Sequence, residues 1–324
     1  MKALVMTPGG VAPQYVKNFP EPIAGSRDEV LISVKAASIK HLDKSRATGK
    51  HYSTKDDMQH AKVIGVDGIG LLEDGTRVYA LGVTGMIAEK AIVEKSKLIT
   101  VPEGLDDATA AALPNAVAGS VMALRISAGM KNGETVLING ATGFTGKMAV
   151  QIAKYYGARK VIVTGRNEKS LQSLLSLGAD AIVPIRQDDK SFVEQIKKLH
   201  AETPIDVILD YLWGHTAELI LGSLKGKGAF THRTRFVSIG SLAGNEIQLS
   251  SEMLRSLNLQ LSGSGLGSWT KDEMQKLIKE ILPEMFQLAA DNKLKVNTVT
   301  VNLQDIEKVW DMEVSDGKRL VVII

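Results

Sequence analysis

A predicted strand, a glycine-rich turn and a helix follow one another without interruption over residues 134–157. Thr135–Asn139 form the predicted strand, and Gly143 and Gly146 fill two positions of a G-x-G-x-x-G pattern whose first position is Ala141. A glycine lets a phosphate approach the backbone, and the N–H groups at a helix start attract its charge. The segment therefore predicts a dinucleotide pyrophosphate site rather than a tight turn without ligand. Its predicted contacts are Thr142, Gly143, Phe144, Thr145 and Gly146.

The next predicted strand, Lys160–Thr164, indicates which dinucleotide is preferred. Chains that bind NAD carry Asp or Glu at this strand end, where the carboxylate meets the ribose 2′-hydroxyl. This chain has no carboxylate there before Glu168, whereas Arg166 offers a planar guanidinium and Lys169 a second positive charge. NADP(H) is therefore expected; the alternative is that Arg166 is solvated and Asn167 merely caps the next helix. The predicted contacts are Thr164, Gly165, Arg166 and Lys169.

The composition is that of an ordinary globular protein. The 324 residues are 44% hydrophobic, which is enough for a large core and, by length, for two domains. We find neither an apolar run of about 18 residues nor a signal segment, so a cytoplasmic location is expected. The absence of cysteine excludes disulfides, thiolate metal ligands and a cysteine nucleophile. A net charge of +3 does not by itself indicate a nucleic-acid or membrane partner.

The order of predicted elements gives an α/β fold with a discontinuous first domain. Residues 1–105 alternate short strands, one of them at 87–93, with turns, including a hairpin turn at Asp74-Gly75. Helices are expected over 106–113 and 116–128, and six strands then alternate with helices as in a doubly wound parallel sheet. The predicted strands of that sheet are 135–139, 160–164, 181–185, 206–210, 235–239 and 259–263. The first domain is also assigned a helix from Lys271, with a capping box at Thr270 and Glu273, a short helix at 304–312 and a last strand at 320–324.

Several motifs resemble one known family. They are Leu113-Pro114, Gly133 to Leu137, Gly140 to Gly143, Gln151 to Lys154, Gly178 to Asp180, A-S-I-K-H-L-D at 37–43 with Arg46 and Gly49, and G-V-D-G-I-G at 65–70. Together they resemble the zinc-independent quinone oxidoreductase (zeta-crystallin-like) branch of the medium-chain dehydrogenase/reductase superfamily, over nearly the whole chain. The resemblance implies a mainly-β GroES-like catalytic domain, 1–112 and 268–324, around a six-stranded Rossmann NADP-binding domain, 113–267. It also implies a homodimer.

The resemblance implies further cofactor contacts by position. The segments after the fifth and sixth Rossmann strands, and one residue of the helix before the sheet, should lie near the nicotinamide and its ribose. These residues are Asn115, Ile239, Gly240, Ser241, Gly263 and Ser264.

The family's zinc-dependent relatives hold a catalytic zinc with cysteine and histidine, which this chain cannot do. A substitute site built from His41, His51, His60 and Asp67 is less expected than solvated histidines, so no metal site is predicted. The expected reaction is metal-free hydride transfer from NADPH to a quinone, or alternatively to the double bond of an enone or enal. In both reactions negative charge develops on a carbonyl oxygen, which a hydrogen-bond donor would stabilise.

Three residues near the start of the chain are candidates for catalysis. Lys40 replaces the family's usual Asn and is either a cationic donor to that oxygen or an exposed lysine in a polar loop. Tyr52 is either a proton donor or aromatic wall for the substrate, or an ordinary packed residue. Asp43 is interpreted as an orienting residue.

A function of another class is suggested by the basic segment Lys225–Arg235, which contains four basic residues, a histidine and a phenylalanine. Such a segment can engage a phosphate backbone and stack a base, as in an NADPH-binding protein with a nucleic-acid-binding or structural role. Arg233 and Arg235 would carry that binding. A solvated loop is the favoured interpretation, so a nucleic-acid partner is not expected.

Overall fold

A computed structural model describes residues 1–49, 60–225, 231–312 and 314–324. The chain divides into two compact units. Unit 1 comprises Met1–Pro114 and Ile278–Ile324, and unit 2 comprises Asn115–Leu277.

The strands within the described residues are β1 (Ala3–Met6), β2 (Gln14–Val16), β3 (Glu29–Ser38), β4 (Lys62–Val63), β5 (Asp67–Leu71), β6 (Arg77–Leu81), β7 (Lys90–Glu94), β8 (Ile99–Thr100), β9 (Thr135–Asn139), β10 (Lys160–Gly165), β11 (Ala181–Pro184), β12 (Val207–Asp210), β13 (Thr234–Ser238), β14 (Leu259–Gly263), β15 (Thr298–Asn302) and β16 (Arg319–Ile323). The α-helices are α1 (His41–Ala47), α2 (Asp107–Val117), α3 (Phe144–Tyr155), α4 (Glu168–Leu175), α5 (Asp189–Glu202), α6 (Gly214–Ser223), α7 (Ser251–Ser256), α8 (Lys271–Lys276) and α9 (Leu282–Ala290). Wider π-type turns extend over Ala118–Ser127 and Leu277–Ile281, and 3₁₀ turns over Lys95–Lys97, Leu303–Val309 and Ser315–Gly317.

Unit 2 contains a six-stranded, wholly parallel sheet in the order β11-β10-β9-β12-β13-β14. Counted along the unit, this is the doubly wound order 3-2-1-4-5-6 of a dinucleotide-binding fold. The predicted fold class is confirmed, and the strand bounds agree with the sequence prediction to within one residue. Ligands in such sheets bind beyond the carboxyl ends of the strands, where the order reverses between β9 and β12.

The sheet of unit 2 is covered on both faces, which explains its apolar strands. All five residues of β9 are buried, as expected for a central parallel strand. A hydrophobic cluster on one face brings Phe192 of α5 against Phe236 of β13, and Trp213 meets the same Phe236 edge-on with ring centroids 6.1 Å apart. Burial of this apolar surface stabilises the sheet and fixes the positions of its strand ends.

Unit 1 is mainly β, as predicted. Its larger sheet has the order β15-β16-β3-β5-β6-β8, with β7 also pairing β3, and a smaller sheet has the order β2-β1-β4. The hairpin turn predicted at Asp74-Gly75 joins β5 to β6, with Gly75 at a φ of +86° and the Thr76 N–H donating to Asp74 Oδ1 at 2.9 Å. Strand β16 pairs antiparallel with β3, so the end of the chain returns to the first sheet.

The predicted break between two helices at Pro114 is wrong. Helix α2 contains Pro114 and continues into the π-type turns that end at Ser127. Most of this segment is buried, with Leu113 and Ala116 fully inaccessible, so packing outweighs the local cost of proline. Contrary to the expectation that no apolar run reaches about 18 residues, the 21-residue segment Asp107–Ser127 is long and apolar enough to cross a membrane by length and composition, but 67% of its apolar window is buried in the protein.

Two smaller sequence predictions also differ from the structure. The strand predicted over 87–93 begins only at Lys90, and the helix predicted over 304–312 is the 3₁₀ segment Leu303–Val309. The capping box predicted at the start of α8 is confirmed, because Thr270 Oγ1 accepts from the Glu273 N–H and the Glu273 carboxylate accepts from the Thr270 N–H.

Candidate cofactor and active-site residues

The glycine-rich turn of unit 2 lies between the end of β9 and the start of α3. Gly140 has a φ of +85°, in the left-handed region that favours glycine, and a Cβ there would lie 2.7 Å from Leu212. The next residue joins the turn to the neighbouring strand, since the Ala141 N–H donates to the Thr164 carbonyl at 2.8 Å. The path of the turn is therefore fixed by its neighbours on two sides.

Gly143 and Gly146 are needed for different reasons. A Cβ on Gly143 would have no protein atom within 4 Å, so the space above the turn is open at that residue. A Cβ on Gly146 would lie 2.5 Å from the Ala141 Cα, so this glycine lets α3 pack closely against the turn. Open space over the second glycine and tight packing at the third are the requirements of a pyrophosphate-binding turn. The residues present therefore fit a dinucleotide.

The start of α3 supplies donors to that open space. Gly143 is the N-cap residue and has no side chain with which to satisfy the first helical N–H groups. The helix runs for 12 residues, and its N-terminus carries a partial positive charge. Phe144 is buried and half-buried Thr145 follows it, so the backbone N–H groups of this first turn are the expected phosphate contacts.

The segment after β10 carries exposed positive charges at the position where NAD-binding chains have a carboxylate. Arg166 and Lys169 are both exposed, whereas Asn167 Oδ1 accepts from the Ser170 N–H at 2.9 Å and caps α4. The alternative interpretation is thus correct in that Asn167 caps α4. Arg166 faces solvent. Gly165 lies against the side chain of Thr142, which leaves no room for a Cβ.

Arg186 is a further cation that the sequence analysis missed. Strand β11 runs parallel to β10 with Gly165 opposite Pro184, and the Ile185 N–H donates to the Gly165 carbonyl at 2.8 Å. Exposed Arg186 therefore follows β11 at the same edge of the sheet at which Arg166 follows β10. The sequence signal for Arg186 is a basic residue just beyond the third predicted Rossmann strand. This signal can be connected with Arg166 only once the register of β10 and β11 is known.

The side chain of Thr164 makes hydrogen bonds to the end of the neighbouring strand β9 and to the turn that follows it. It is fully buried, and its hydroxyl donates to Asn139 Oδ1 at 2.6 Å and accepts from the Gly140 N–H at 3.1 Å. A direct contact of this hydroxyl with a cofactor, as predicted, would have to displace one of these bonds.

The segment predicted to meet the nicotinamide ribose follows β13. The N–H groups of Ile239 and Gly240 both donate to the Asp210 carbonyl, at 2.8 and 3.2 Å, and Ser241 is exposed. Gly119 brings this segment near the turn, because a Cβ on it would lie 3.5 Å from Thr145 and 3.8 Å from Ile239. Two predicted contact segments, the glycine-rich turn and the segment after β13, therefore lie close to Gly119, which the sequence analysis did not select.

The remaining predicted contacts of unit 2 have different surroundings. Gly263 is exposed at the end of β14, whereas Ser264 is buried and its hydroxyl accepts from Trp269 Nε1 at 3.1 Å. Asn115 lies half-buried in α2. Their contact with a cofactor stays a prediction.

In unit 1, Lys40 is buried in a cluster of charged side chains. The side chain is 2% exposed, so the interpretation as an exposed loop lysine is wrong. Its ammonium group donates to the Ser38 carbonyl at 3.0 Å and contacts the carboxylates of Asp43, at 3.1 Å, and of Asp67. Sequence reasoning could not see this, because Asp67 lies 27 residues along the chain.

Asp43 has the contacts of an orienting residue. Its Oδ2 accepts from the Lys40 backbone N–H at 2.8 Å at the start of α1, and its Oδ1 accepts from the Val66 N–H at 2.9 Å. The carboxylate therefore joins α1 to the segment before β5. Each of these bonds involves a charged acceptor, which makes it stronger than a bond between neutral groups.

Two further residues complete the cluster. The Tyr79 hydroxyl donates to Asp67 Oδ2 at 2.7 Å, and Arg319 Nη1 donates to the Ile39 carbonyl at 3.3 Å. Two cations thus balance two carboxylates in a buried environment, which is the condition for holding charge in a protein interior.

The protonation of the cluster follows from its contacts. Burial lowers the pKa of Lys40, but the Asp43 and Asp67 carboxylates outweigh it and hold that pKa above its usual value. Burial lowers the pKa of Arg319 to about 10, against the attraction of the same two carboxylates. Burial raises the pKa of Tyr79 well above its usual range, and Asp67 adds to the shift. At neutral pH the ammonium, the guanidinium and the phenol therefore all keep their protons.

The Lys40 ammonium thus donates to the Ser38 carbonyl, to Ser38 Oγ and to Asp67 Oδ1, and it forms an ion pair with Asp43. A cationic donor to a substrate oxygen, as predicted for Lys40, would require one of these contacts to open. Tyr52, the other predicted contributor to catalysis, lies outside the described residues. So does His51 of the substitute metal set, and within the described residues no group of three or more His, Asp or Glu side chains is placed to hold a metal ion.

The basic segment of unit 2 does not present all its charges to solvent. Arg235 Nη2 forms an ion pair with Glu134 at 2.6 Å, and Arg235 Nη1 donates to the Ala128 carbonyl at 2.9 Å. The Arg235 guanidinium is therefore neither solvated, as the favoured interpretation expects, nor free for a phosphate backbone, as the nucleic-acid alternative requires. Arg233 donates to Gln260 Oε1 at 3.1 Å, and residues 226–230 lie outside the described part of the chain.

Comparisons with known proteins agree with this geometry. The family model described as "Zinc-binding dehydrogenase" matches residues 145–282. A quinone oxidoreductase of Sus scrofa is 30% identical over 259 residues, which cover 77% of this chain and 75% of that protein. An acryloyl-coenzyme A reductase of Sulfurisphaera tokodaii is 27% identical over 353 residues, 96% of each protein. Crystal structures of the quinone oxidoreductase from Thermus thermophilus and its complex with NADPH superpose with a TM-score of 0.78, 25% identity and full coverage of both chains.

Alanine substitutions should separate the two roles of glycine in the turn. Gly143→Ala should leave the free energy of unfolding within about 0.5 kcal/mol of the wild type, because its φ of −77° and open surroundings accept a methyl group. It should nevertheless weaken NADPH binding roughly tenfold or more, since the methyl group fills the phosphate space. Gly146→Ala should instead lower the unfolding free energy by about 1–3 kcal/mol through its contact with Ala141. Urea unfolding measures the free energies of unfolding, and fluorescence titration measures NADPH binding. An unchanged NADPH affinity in Gly143→Ala would contradict the assignment of the phosphate site to this turn.

The buried phenol gives a prediction for pH. Tyr79→Phe removes the donor to Asp67 and should lower the unfolding free energy of unit 1 by about 1.5–3 kcal/mol near neutral pH. Because the folded-state pKa of Tyr79 is raised, its contribution is complete below the unfolded pKa of about 10 and is lost as the pH rises through the folded-state value. The stability difference between wild type and Tyr79→Phe should therefore be constant below about pH 9 and shrink above about pH 10.

Urea unfolding across this pH range measures the difference. Tyr155→Phe, at a 46% exposed position, is the control and should change stability by less than about 0.5 kcal/mol. A difference between wild type and Tyr79→Phe that grows at alkaline pH would show that the phenol is not held protonated.

Proposed function

This chain belongs to the zinc-independent quinone oxidoreductase branch of the medium-chain dehydrogenase/reductase superfamily and is an oxidoreductase, and we propose that it reduces a quinone with NADPH. The observation that carries the proposal is the turn after β9, where open space over Gly143 meets the N-terminus of α3. A phosphate group is the ligand chemistry that such a turn recognises. When bound, NADPH supplies a hydride.

The preference for the phosphorylated cofactor is supported by the charges at the ends of β10 and β11. Arg166, Lys169 and Arg186 are exposed there, and the segment from Gly165 to Asn167 has no carboxylate to accept a ribose 2′-hydroxyl. A guanidinium pairs with a phosphate through two parallel hydrogen bonds, which a hydroxyl cannot match. The NADPH complex of the similar Thermus thermophilus enzyme supports the same cofactor.

The acceptor chemistry needs little from the protein beyond orientation and a proton. Reduction of a quinone to a hydroquinone takes up one hydride and one proton, and negative charge develops on the carbonyl oxygen that is protonated. We assign Lys40 and Asp43 to positioning within unit 1, because their polar atoms are engaged with Ser38, Asp67 and Val66. Tyr52 stays the predicted proton donor or aromatic wall.

Reduction of an activated double bond is the second candidate function. It is favoured by the similarity to an acryloyl-coenzyme A reductase over 96% of both proteins. Hydride addition to the β-carbon of such a substrate also places negative charge on a carbonyl oxygen, so the same protein groups serve both reactions.

The proposed homodimer has a suitable edge in unit 2. Strand β14 is the last strand of the six-stranded sheet and pairs with β13 on one side. The outer side presents backbone N–H and C=O groups that a second copy of β14 can pair. This assembly stays a prediction.

Reversal of charge at Arg166 should change cofactor preference. Arg166→Glu is expected to weaken NADPH binding about 10- to 100-fold, because one charge-assisted contact to the phosphate is lost and a repulsion is added. NADH, which has no 2′-phosphate, should bind as well as before or better. Arg159→Glu is the matched control, since Arg159 is exposed just before the opposite end of β10. Fluorescence titrations with both cofactors test this, and an equal loss for NADPH and NADH would refute the phosphate role.

The acceptor class can be settled by a substrate panel. NADPH oxidation should be rapid with 1,4-benzoquinones, slow with cyclic enones, and unchanged by EDTA because no metal site is predicted. Turnover with enones alone would replace the quinone proposal by the second candidate. Activity that disappears on chelation and returns with added zinc would refute the metal-free mechanism, and turnover with neither acceptor class would refute both candidates.

A further inference from the structure

Three adjacent strand ends of unit 2 are joined by buried polar side chains. Thr164 at the end of β10 donates to Asn139 Oδ1 at the end of β9, at 2.6 Å. Asn139 Nδ2 in turn donates to Asp210 Oδ1 at the end of β12, at 2.7 Å. All three residues are fully inaccessible to solvent. These strand ends are the edge of the sheet at which ligands bind in folds of this topology.

Asp210 also fixes the backbone of the loop that follows it. Its carboxylate accepts from the Leu212 N–H at 3.1 Å and from the Trp213 N–H, at 3.2 Å to Oδ1 and 3.1 Å to Oδ2. Trp213 has a φ of 58° and a ψ of −158°, a backbone conformation that is strained for a residue other than glycine. A strained residue persists where its surroundings impose the conformation, and here the Asp210 carboxylate does so.

The three residues meet two of the loops that are predicted to contact the cofactor. The Gly140 N–H donates to Thr164 Oγ1 at 3.1 Å, and Leu212 lies where a Cβ on Gly140 would be, so the glycine-rich turn is held from both sides. The Asp210 carbonyl accepts from the N–H groups of Ile239 and Gly240, which begin the predicted nicotinamide-ribose segment. The Asp210 side chain thus reaches the glycine-rich turn through Asn139 and Thr164 and through the loop that carries Leu212, whereas only its backbone carbonyl meets the segment after β13.

The directions of these hydrogen bonds are set by chemistry. An ionised carboxylate only accepts hydrogen bonds, and the groups that face Asp210 are N–H donors of Asn139, Leu212 and Trp213. An amide at position 210 would direct N–H groups at other N–H groups. A carboxylate at position 139 would lie against the carboxylate of Asp210. Asn139→Asp therefore sets two carboxylates against each other, and Asp210→Asn sets an amide N–H against a backbone N–H. Exchanging the two residues restores an amide next to a carboxylate between β9 and β12, but it leaves the amide at position 210 facing the Leu212 and Trp213 N–H groups.

We propose that Asn139 and Asp210 are positioning residues whose side chains hold the glycine-rich turn and the loop from Tyr211 to Trp213 in the arrangement that binds the dinucleotide. This inference rests on the proposed function, because it concerns binding of the same cofactor. The network acts on the pyrophosphate turn and is separate from the cations at the 2′-phosphate. Its loss therefore weakens NADPH and NADH equally, unlike the loss of Arg166.

Exchange of the two residues tests the proposal. Asp210→Asn and Asn139→Asp, each alone, should raise the dissociation constants of NADPH and NADH in parallel, by about tenfold or more, as expected for one lost bond to a charged group. The double variant Asn139→Asp/Asp210→Asn should bind both cofactors more tightly than Asn139→Asp alone, because the two facing carboxylates are removed, but more weakly than wild type. Fluorescence titration measures the constants, and thermal melts of the cofactor-free proteins measure stability.

A matched control separates positioning from general stability. Asp206 lies just before the opposite end of β12, where its Oδ2 accepts from the Thr135 N–H at 2.7 Å and its Oδ1 meets His232. Asp206→Asn makes the same chemical change at the other edge of the same strands and should leave both dissociation constants unchanged, even where the melting temperature falls. If Asp210→Asn does not fold, Thr164→Val breaks the link to Gly140 with little change of shape and should weaken both cofactors in parallel.

The possible outcomes are distinct. Equal changes in affinity for Asp210→Asn and Asp206→Asn would overturn the positioning role, and so would a double variant that binds no more tightly than Asn139→Asp. A selective loss of NADPH would also overturn it, because the network would then act on the 2′-phosphate end. Wild-type protein that binds neither cofactor would refute the proposed function as well. If the wild-type protein binds the cofactors and Asp210→Asn has the same dissociation constants as the wild type, only the positioning role is refuted.

Discussion

The close approach of α3 to the end of β9 is the constraint on which unit 2 depends. At Gly146 the helix comes so near the turn that a single Cβ would collide with the Ala141 backbone, and at Gly140 the chain takes a left-handed conformation. Both features bring the helix N-terminus directly over the central strands, where the strand order reverses. The exposed cations after β10 and β11 lie at the same edge of the sheet, so a bound dinucleotide would meet backbone donors and guanidinium groups together.

The polar network beneath the turn shows how a parallel sheet holds such a site. Asn139, Thr164 and Asp210 are buried polar residues at the ends of otherwise apolar strands, and each hydrogen bond joins neighbouring strands. A buried polar group is costly when unpaired, which makes a satisfied network specific for one arrangement of its members. The strain at Trp213 shows that this arrangement is held against a local preference.

Unit 1 uses buried charge in a different way. The ammonium of Lys40 lies between the carboxylates of Asp43 and Asp67, and Arg319 adds a second cation to the same region. Removing charges from water costs several kcal/mol each, so such a cluster persists because its charges balance and its hydrogen bonds are made. Loss of one member would leave an uncompensated charge, typically at a cost of about 3–5 kcal/mol. The cluster is therefore a rigid anchor for the start of α1, and its groups are committed to one another.

Local sequence determined those parts of the structure that depend on interactions between residues close together in the chain. Apolar runs bounded by turns gave the six strands of unit 2, and the glycine spacing gave the turn, because both depend on residues close together in the chain. The capping box of α8 and the hairpin turn at Asp74-Gly75 are local in the same sense.

Tertiary structure alone decided the burial of Lys40, the commitment of Arg235 to Glu134 and the position of Arg186 beside Arg166. It also decided that α2 continues through Pro114, where packing outweighed a local signal. The partners in these cases are distant in sequence, as Arg235 and Glu134 are. A charged side chain cannot be told from a solvated one until the fold brings its counter-charge, so the sequence determined the fold class and the glycine-rich turn, while the fold determined which charges are paired within the protein.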